Sequence, residues 1–346
     1  MAYTTVNKST DYQSTKLYDG TGASNAITGI GFQPDWVWIK NRVQTYWHQK
    51  YDAARGVNKS IASNVNNAQE NRTDNLNSFD TDGFTVGAEG GDRNVNYSGD
   101  TYVAWNWKAG TTSIPSGSTS DPSAVSINTT SGFGIYKITA PGSGNYVLKH
   151  GLGATPAMVI VKRTDGTQGW MVWHKSFSNA TDDYIQFNTD AAKGTYSSCW
   201  GTMNSTDCTI ATGGTLDVNA EHIIYVFTEV TGYSKFGKYV ANDQDGYKSP
   251  FIYTGFKPRF IIFKNISSTA NWVITDDKRR IYNPTNKKLY PNDTSAEVSD
   301  EIANLLSNGF KLDNSTGDLN AAAYEYIYMA FGQTLVGTNN VPCTGW

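Results

Sequence analysis

Most strands alternate apolar and polar positions, but three stretches of this chain are apolar at consecutive positions. The first is "GFQPDWVWIK", Gly31 to Lys40, where Trp36, Val37, Trp38 and Ile39 follow a turn-like Gln-Pro-Asp. A strand that is apolar on both sides is covered on both sides, and antiparallel proteins arrange this by stacking two sheets. The pattern predicts a central sandwich strand, with Trp36 and Trp38 toward one layer and Val37 and Ile39 toward the other. The same plan returns at "GLGATPAMVIVKR" (151–163) and "YTGFKPRFIIFKN" (253–265). In each copy a proline precedes a lysine by six residues: Pro34 and Lys40, Pro156 and Lys162, Pro258 and Lys264.

The copies extend in both directions. Upstream, "KLYDGTG", "YKITAPGSG" and "KYVANDQDG" each read as a strand entering a Gly/Asp turn. Downstream, "TYVAWNWKAG", "EHIIYVFTEV" and "EYIYMAFGQ" are again apolar on both faces. Spacings measured on the prolines and on Trp107, Phe227 and Phe331 agree, so the period is about one hundred residues. The predicted fold is all-β: three tandem β-sandwich units of jelly-roll or concanavalin type, with very little helix. Their expected limits are 1–110, 127–231 and 232–346, the last carrying a C-terminal tail. Residues 111–126, rich in Ser, Thr, Gly and Pro, read as a linker.

Each central strand should turn back through a second strand, "YWHQKYD", "GWMVWH" or "NWVITD". A tryptophan lies seven or eight residues beyond each lysine, at Trp47, Trp170 and Trp272. Folding the hairpin predicts a lysine stem lying over an indole, a favourable cross-strand pair. The one expected helix is "SDEIANLLSNG" (299–309), with Ile302, Leu305 and Leu306 on one face and Gly309 as its stop. "DTDG" (80–83) and "NDQDG" (242–246) begin like calcium loops but lack the distal glutamate, so they read as turns.

Composition supports this picture and narrows the chemistry. Aromatic residues make up 13% and charged residues 17% of the 346, which suits strands and tight turns. The net charge of −3 gives no electrostatic reason for nucleic-acid binding. The basic runs "DKRR" (277–280) and "NKK" (286–288) are local. They read as a solvated face, with contact to envelope phosphates as the functional alternative. Cys199, Cys208 and Cys343 have no metal-ligand spacing, and Cys199 and Cys208 are read as reduced thiols. "MAYTTVNKST" lacks a basic-then-apolar signal, and no run is long enough to span a membrane. Folding in a cytoplasm is therefore expected.

No nucleophile elbow, phosphate loop, zinc motif or Cys-x-x-Cys pair occurs. His48, His150, His174 and His222 do not recur at equivalent places, and no glutamate does either. These absences predict a protein that is not an enzyme and needs no metal or cofactor. Trp200 and Trp346 fall outside the strand runs and are candidate contacts for a ligand or partner. Asp52 and Asp276 occupy equivalent positions, each followed three residues on by Arg55 or Arg279, and are further candidates. The middle copy has His174 and Phe177 there.

The stretches "AYTTVNKSTDY", "TGIGFQPDWVWIKNR", "SFDTDGFTVG" and "SGDTYVAWNWKAG" resemble the N-terminal unit of structural proteins of tailed bacteriophages, cyanophages and other marine phages among them. "VLKHGLGATPAMVIVKR", "VFTEVTGYSKFGKY", "YTGFKPRFIIFK", "NWVITDDKR" and "LSNGFKL" resemble the two following units. The resemblance covers nearly the whole chain and implies a virion or tail-fibre protein with SPRY-like or concanavalin-like sandwiches. It implies location in the virion, other virion proteins and further copies of itself as partners, and a host-surface glycan as ligand. Capsid decoration is the alternative, and depolymerisation of envelope polysaccharide the third reading. It carries no catalytic residues across, and the ending "NNVPCTGW" departs from it.

Overall fold

The computed structural model describes residues 4–88, 94–244, 248–313, 316–334 and 336. Those residues form antiparallel sheets throughout, and their one helical element is the short turn Ser9–Asp11. The fold is all-β, as the consecutive apolar runs require.

The order of strands recurs in the three repeats. In the first, Gln13–Asp19, Thr101–Trp107, Trp36–Asn41 and Gln49–Asp52 lie side by side. In the second the equivalents are Phe133–Thr139, Glu221–Thr228, Pro156–Arg163 and Met171–His174. In the third they are Ser234–Val240, Glu325–Gln333, Lys257–Asn265 and Val273–Asp276. Each repeat adds a second sheet, centred on Gly83–Val86, Asp207–Ala211, or the hairpin of Val298–Leu306 with Gly309–Leu312. Cross-strand partners set the equivalences: Trp36 faces Asp52, Met158 faces His174, and Phe260 faces Asp276.

The two faces of "WVWI" have different neighbours. Val37 and Ile39 pack with Ile27, Phe84 and Leu76 of the first repeat's own small sheet. Trp36 and Trp38 turn the other way, into a core shared by all three repeats. Trp36 stacks on Tyr225 at 4.8 Å between ring centroids, and Trp107 meets Phe260 edge-on at 5.2 Å. Trp107 and Phe227 both contact Phe331, at 5.8 and 6.1 Å. The second covering layer is therefore not a sheet of the same repeat; it is the large sheets of the other two.

Several expectations change. Residues 299–309 are not helical: Val298–Leu306 is a strand that turns at Ser307 and Asn308 onto Gly309–Leu312. The spacing of Ile302, Leu305 and Leu306 mimicked a helix face, but pairing of Leu305 with Phe310 across the two-residue Ser307–Asn308 turn prevails. The stretch read as a linker is tied down at both ends. Its last residues enter the strand Ala124–Asn128, paired with Phe133–Thr139, and Thr119 N–H donates to the Val147 carbonyl. Asp35 draws its two ends together, accepting from Ala109 N–H just before it at 2.8 Å and from the Ser126 hydroxyl at its end at 2.9 Å. At "DTDG" the turn reading stands: Asp82 accepts from the amides of Gly29 and Gly31. The end of "NDQDG" lies outside the described residues.

Candidate functional site

The polar residues that recur in the sequence converge where the repeats touch. Asp52 of the first repeat is buried and accepts from Tyr225 Oη of the second at 2.6 Å. Arg55, also buried, donates Nε to the same carboxylate at 2.6 Å and Nη2 to the Lys50 carbonyl. Asp276 of the third repeat accepts from Trp105 Nε1 of the first at 3.0 Å, with Arg279 Nε at 2.6 Å and Nη2 on the Ile274 carbonyl. Between the second and third, His174 Nε2 lies 3.4 Å from the Tyr328 carbonyl. First meets second, second meets third and third meets first, so the three repeats close into a ring.

A second set of contacts runs the opposite way round. Trp170 Nε1 donates to the Ala62 and Val65 carbonyls of the first repeat, and Trp272 Nε1 to the Gln186 carbonyl of the second. By register His48, not Trp47, is the first repeat's equivalent of these two tryptophans. His48 accepts from Trp38 Nε1 at 3.1 Å, and beside it Ser63 Oγ reaches the Pro291 carbonyl of the third repeat at 2.7 Å. Two of the three recurring lysines join the same circuit, while Lys40 bonds the Asn41 and Gln44 carbonyls of its own repeat. Lys162 Nζ donates to the Asn66 carbonyl of the first repeat, and Lys264 Nζ to the Asp190 carbonyl of the second. Burial draws Lys40 and Lys162 down to about 7 and Lys264 to about 8.

The expected lysine-over-indole pair is therefore corrected. The recurring lysines reach carbonyls, whereas Lys50 occupies an aromatic box, 3.6 Å from the Trp38 ring centre and 5.3 Å from that of Trp170. Its amine is buried without a hydrogen-bond partner, and burial, with Arg55 nearby, pushes its pKa well down.

None of this is a reaction cleft. Asp52 and Asp276, taken as candidate ligand contacts, are 0% and 1% exposed with their oxygens committed to the ring. Trp200 is corrected likewise: it belongs to the strand Trp200–Met203, is 1% exposed and donates Nε1 to the Asp183 carbonyl. Trp346 and Cys343 lie outside the described residues. Cys199 and Cys208 are free thiols, both raised by burial, Cys199 to about 11. Burial lowers all four histidines, His174 to about 3 and His222 to about 4. Bases held neutral and thiols held protonated inside a core do not suit proton transfer or nucleophilic attack. Among the described residues no group of His, Cys, Asp and Glu has the geometry of a metal site.

A single family model spans residues 8–334, across all three repeats. The chain belongs to DUF7483, a domain family of unknown function. No curated protein and no solved structure matches it. The DUF7483 match thus covers the whole ring.

The surface offers a different kind of site, on the third repeat. In "TDDKRR" the side chains divide: Asp276 and Arg279 face the ring, while Asp277 and Arg280 line an outward cleft of about 230 Å³. Lys257, Tyr282, Thr285 and Leu305 complete most of its wall. Tyr282 is 62% exposed. Asp277 pairs with Arg259 at 2.8 Å, and burial raises its carboxyl against that pull. On the same repeat, the edge strand Phe251–Tyr253 turns Ile252 inward and leaves Phe251 and Tyr253 in solvent. Phe251 lies across Gly309, where a Cβ would come within 2.9 Å of its ring. The sequence signalled this region only as a charge run; alternate residues of that run pointing in opposite directions could not be read from composition.

Proposed function

We propose that this chain is a non-enzymatic phage virion protein, a tail or fibre component that contributes to recognition of host-surface glycans. The observation that carries the binding reading is a division of labour among side chains. Recurring polar groups suited to chemistry are spent on joining the repeats, while flat aromatic rings are exposed chiefly on one repeat. Phe251, Tyr253 and Tyr282 are 47%, 61% and 62% exposed. Isolated exposed rings beside amides and charges are suited to stacking on sugar faces, since each offers a rigid apolar plane at little entropic cost. The phage assignment rests on the sequence resemblance. In this reading 1–110, 127–231 and 232–346 are the three sandwich units.

Two measurements test it. Purified protein on a glycan array should bind a subset of bacterial surface glycans, and Tyr253→Ala with Tyr282→Ala should abolish that binding while leaving the melting temperature unchanged. Labelled antibody should mark the tail of the particle. Head labelling with no glycan bound would favour the capsid-decorating alternative. Release of oligosaccharide from host envelope would overturn the non-enzymatic reading.

A further inference from the structure

Arg280 stands apart from the other described arginines, each of which has a carboxylate partner. Arg42 pairs with Glu297, Arg55 with Asp52, and Arg72 with Asp74. Arg163 pairs with Asp165 and Asp217, Arg259 with Asp277, and Arg279 with Asp276. Arg280 has no ion pair among the described residues, and its Nε is shut off from solvent with no hydrogen-bond partner. An atom that water cannot touch is closed to a ligand oxygen too, so the donors that can meet a ligand are the two Nη groups. The guanidinium is a planar fork of donors whose geometry matches carboxylate and phosphate.

Its surroundings narrow the ligand. Asp277 in the same cleft is already paired with Arg259, so the charge of Arg280 has no carboxylate of its own there. Tyr282 places its ring centre 5.5 Å from the guanidinium carbon and keeps most of its surface in solvent. An anion-binding fork next to an open ring face is complementary to a molecule that carries an acidic group on a flat apolar body. A cleft of about 230 Å³ is smaller than the roughly 300–1,000 Å³ of drug-sized sites, which suits a single ring.

We propose that this cleft binds one acidic sugar residue, Arg280 holding its carboxylate or phosphate and Tyr282 covering its ring face. The inference rests on the glycan-recognition reading and specifies its ligand class. The chemistry is shared by uronate and phosphate-bearing sugars, which the test separates.

The experiment is calorimetry on the full chain with four probes: oligogalacturonate, glucose 6-phosphate, inorganic phosphate and neutral maltohexaose. At least one acidic sugar should bind about tenfold or more tightly than maltohexaose. Arg280→Gln should cut that affinity about tenfold or more, and Tyr282→Ala should weaken the sugar but not inorganic phosphate. Unchanged melting of both variants shows that the fold is intact. The preferred acidic probe reports whether a carboxylate or a phosphate is taken, and either supports the proposal. Equal binding of neutral and acidic sugars, lost in Tyr282→Ala, would overturn the acidic-group inference while leaving glycan recognition standing. Inorganic phosphate binding as well as the sugar phosphate would remove the sugar from the site. Acidic-sugar binding unaffected by Arg280→Gln, or no binding of any probe at millimolar concentration, would overturn the cleft assignment. The array and antibody measurements would still decide the broader reading.

Discussion

The contact between first and second repeats and the contact between second and third use the same position in opposite ways. At one, Asp52 is buried with Arg55 and receives the Tyr225 hydroxyl. At the other, neutral His174 lies beside Phe177 and Phe236, at 6.1 and 6.4 Å between ring centroids; its Nδ1 accepts from the Ser176 N–H of its own repeat, and across the contact it meets a backbone carbonyl. The third contact, Asp276 with Arg279 and Trp105, follows the first pattern. One backbone arrangement thus accepts either a charged or a neutral solution. The charged solution is demanding: each ion has been taken out of water, and only complete pairing offsets that. The neutral one needs only that a base keep its proton off.

The largest expected effect comes from breaking a charged contact. Asp52→Ala leaves Arg55 buried without its counter-ion and Tyr225 Oη without its acceptor. It should cost about 3–5 kcal/mol in urea unfolding. His174→Ala should cost less; an equal cost would mean that the charges do not distinguish the two contacts.

The neutral contact should show itself through pH. Burial holds His174 at about 3 when folded, with Lys175 adding a smaller push in the same direction. The unfolded histidine titrates near 6.5. The unfolded state therefore takes up a proton first, so the stability from keeping His174 neutral is complete above pH 6.5 and is lost as pH falls toward 3. The slope should approach about 1.4 kcal/mol per pH unit in that window. His174→Asn should lower the slope by about that much in denaturant titrations between pH 6.5 and 4.5, leaving the share of the other buried histidines, and an unchanged slope would show that His174 is not held neutral.

The smallest effect sharpens the comparison at a neighbouring position. Lys50, Val172 and Ile274 are equivalent, facing Trp38, Ile160 and Ile262 across their hairpins. Only Lys50 buries an amine there. Lys50→Ile should stabilise the protein by about 1–2 kcal/mol at neutral pH. Because the folded-state pKa of Lys50 lies below its unfolded value, the penalty grows as pH falls below about 10.5. The gain should therefore be larger at pH 7 than at pH 10, as thermal melts of both proteins would report. A loss of stability would mean that the ammonium is held charged over the rings.

Much of the fold was legible because consecutive apolar positions leave little choice. Trp36 through Ile39 had to be covered twice, and the spacing of proline and lysine exposed the repetition. What covered the second face was not legible, since strand periodicity does not say whose sheet lies opposite. The same gap explains the misplaced candidates. Asp52 and Asp276 recur because they join repeats, and recurrence alone does not separate a joint from a binding site. Trp47 was counted where His48 stands because a one-residue shift reverses the face of a strand. The 299–309 stretch looked helical because three apolar residues fit one helical face, and tertiary pairing overrode that local fit. The cleft around Arg280 was hidden because its defining property is a missing partner, which only coordinates reveal.

Ring closure constrains how the protein can be made. Trp36, Trp38, Trp105 and Trp107 belong to the portion translated first, yet part of their cover is Phe260 and Phe331 from near the end of the chain. A ribosome that has finished two repeats therefore holds an incomplete object with its indole surface still wet and adhesive. Synthesis of the last hundred or so residues at about 5–20 per second leaves that surface uncovered for seconds. The cell that makes it must tolerate, or shield, that interval each time a copy is produced.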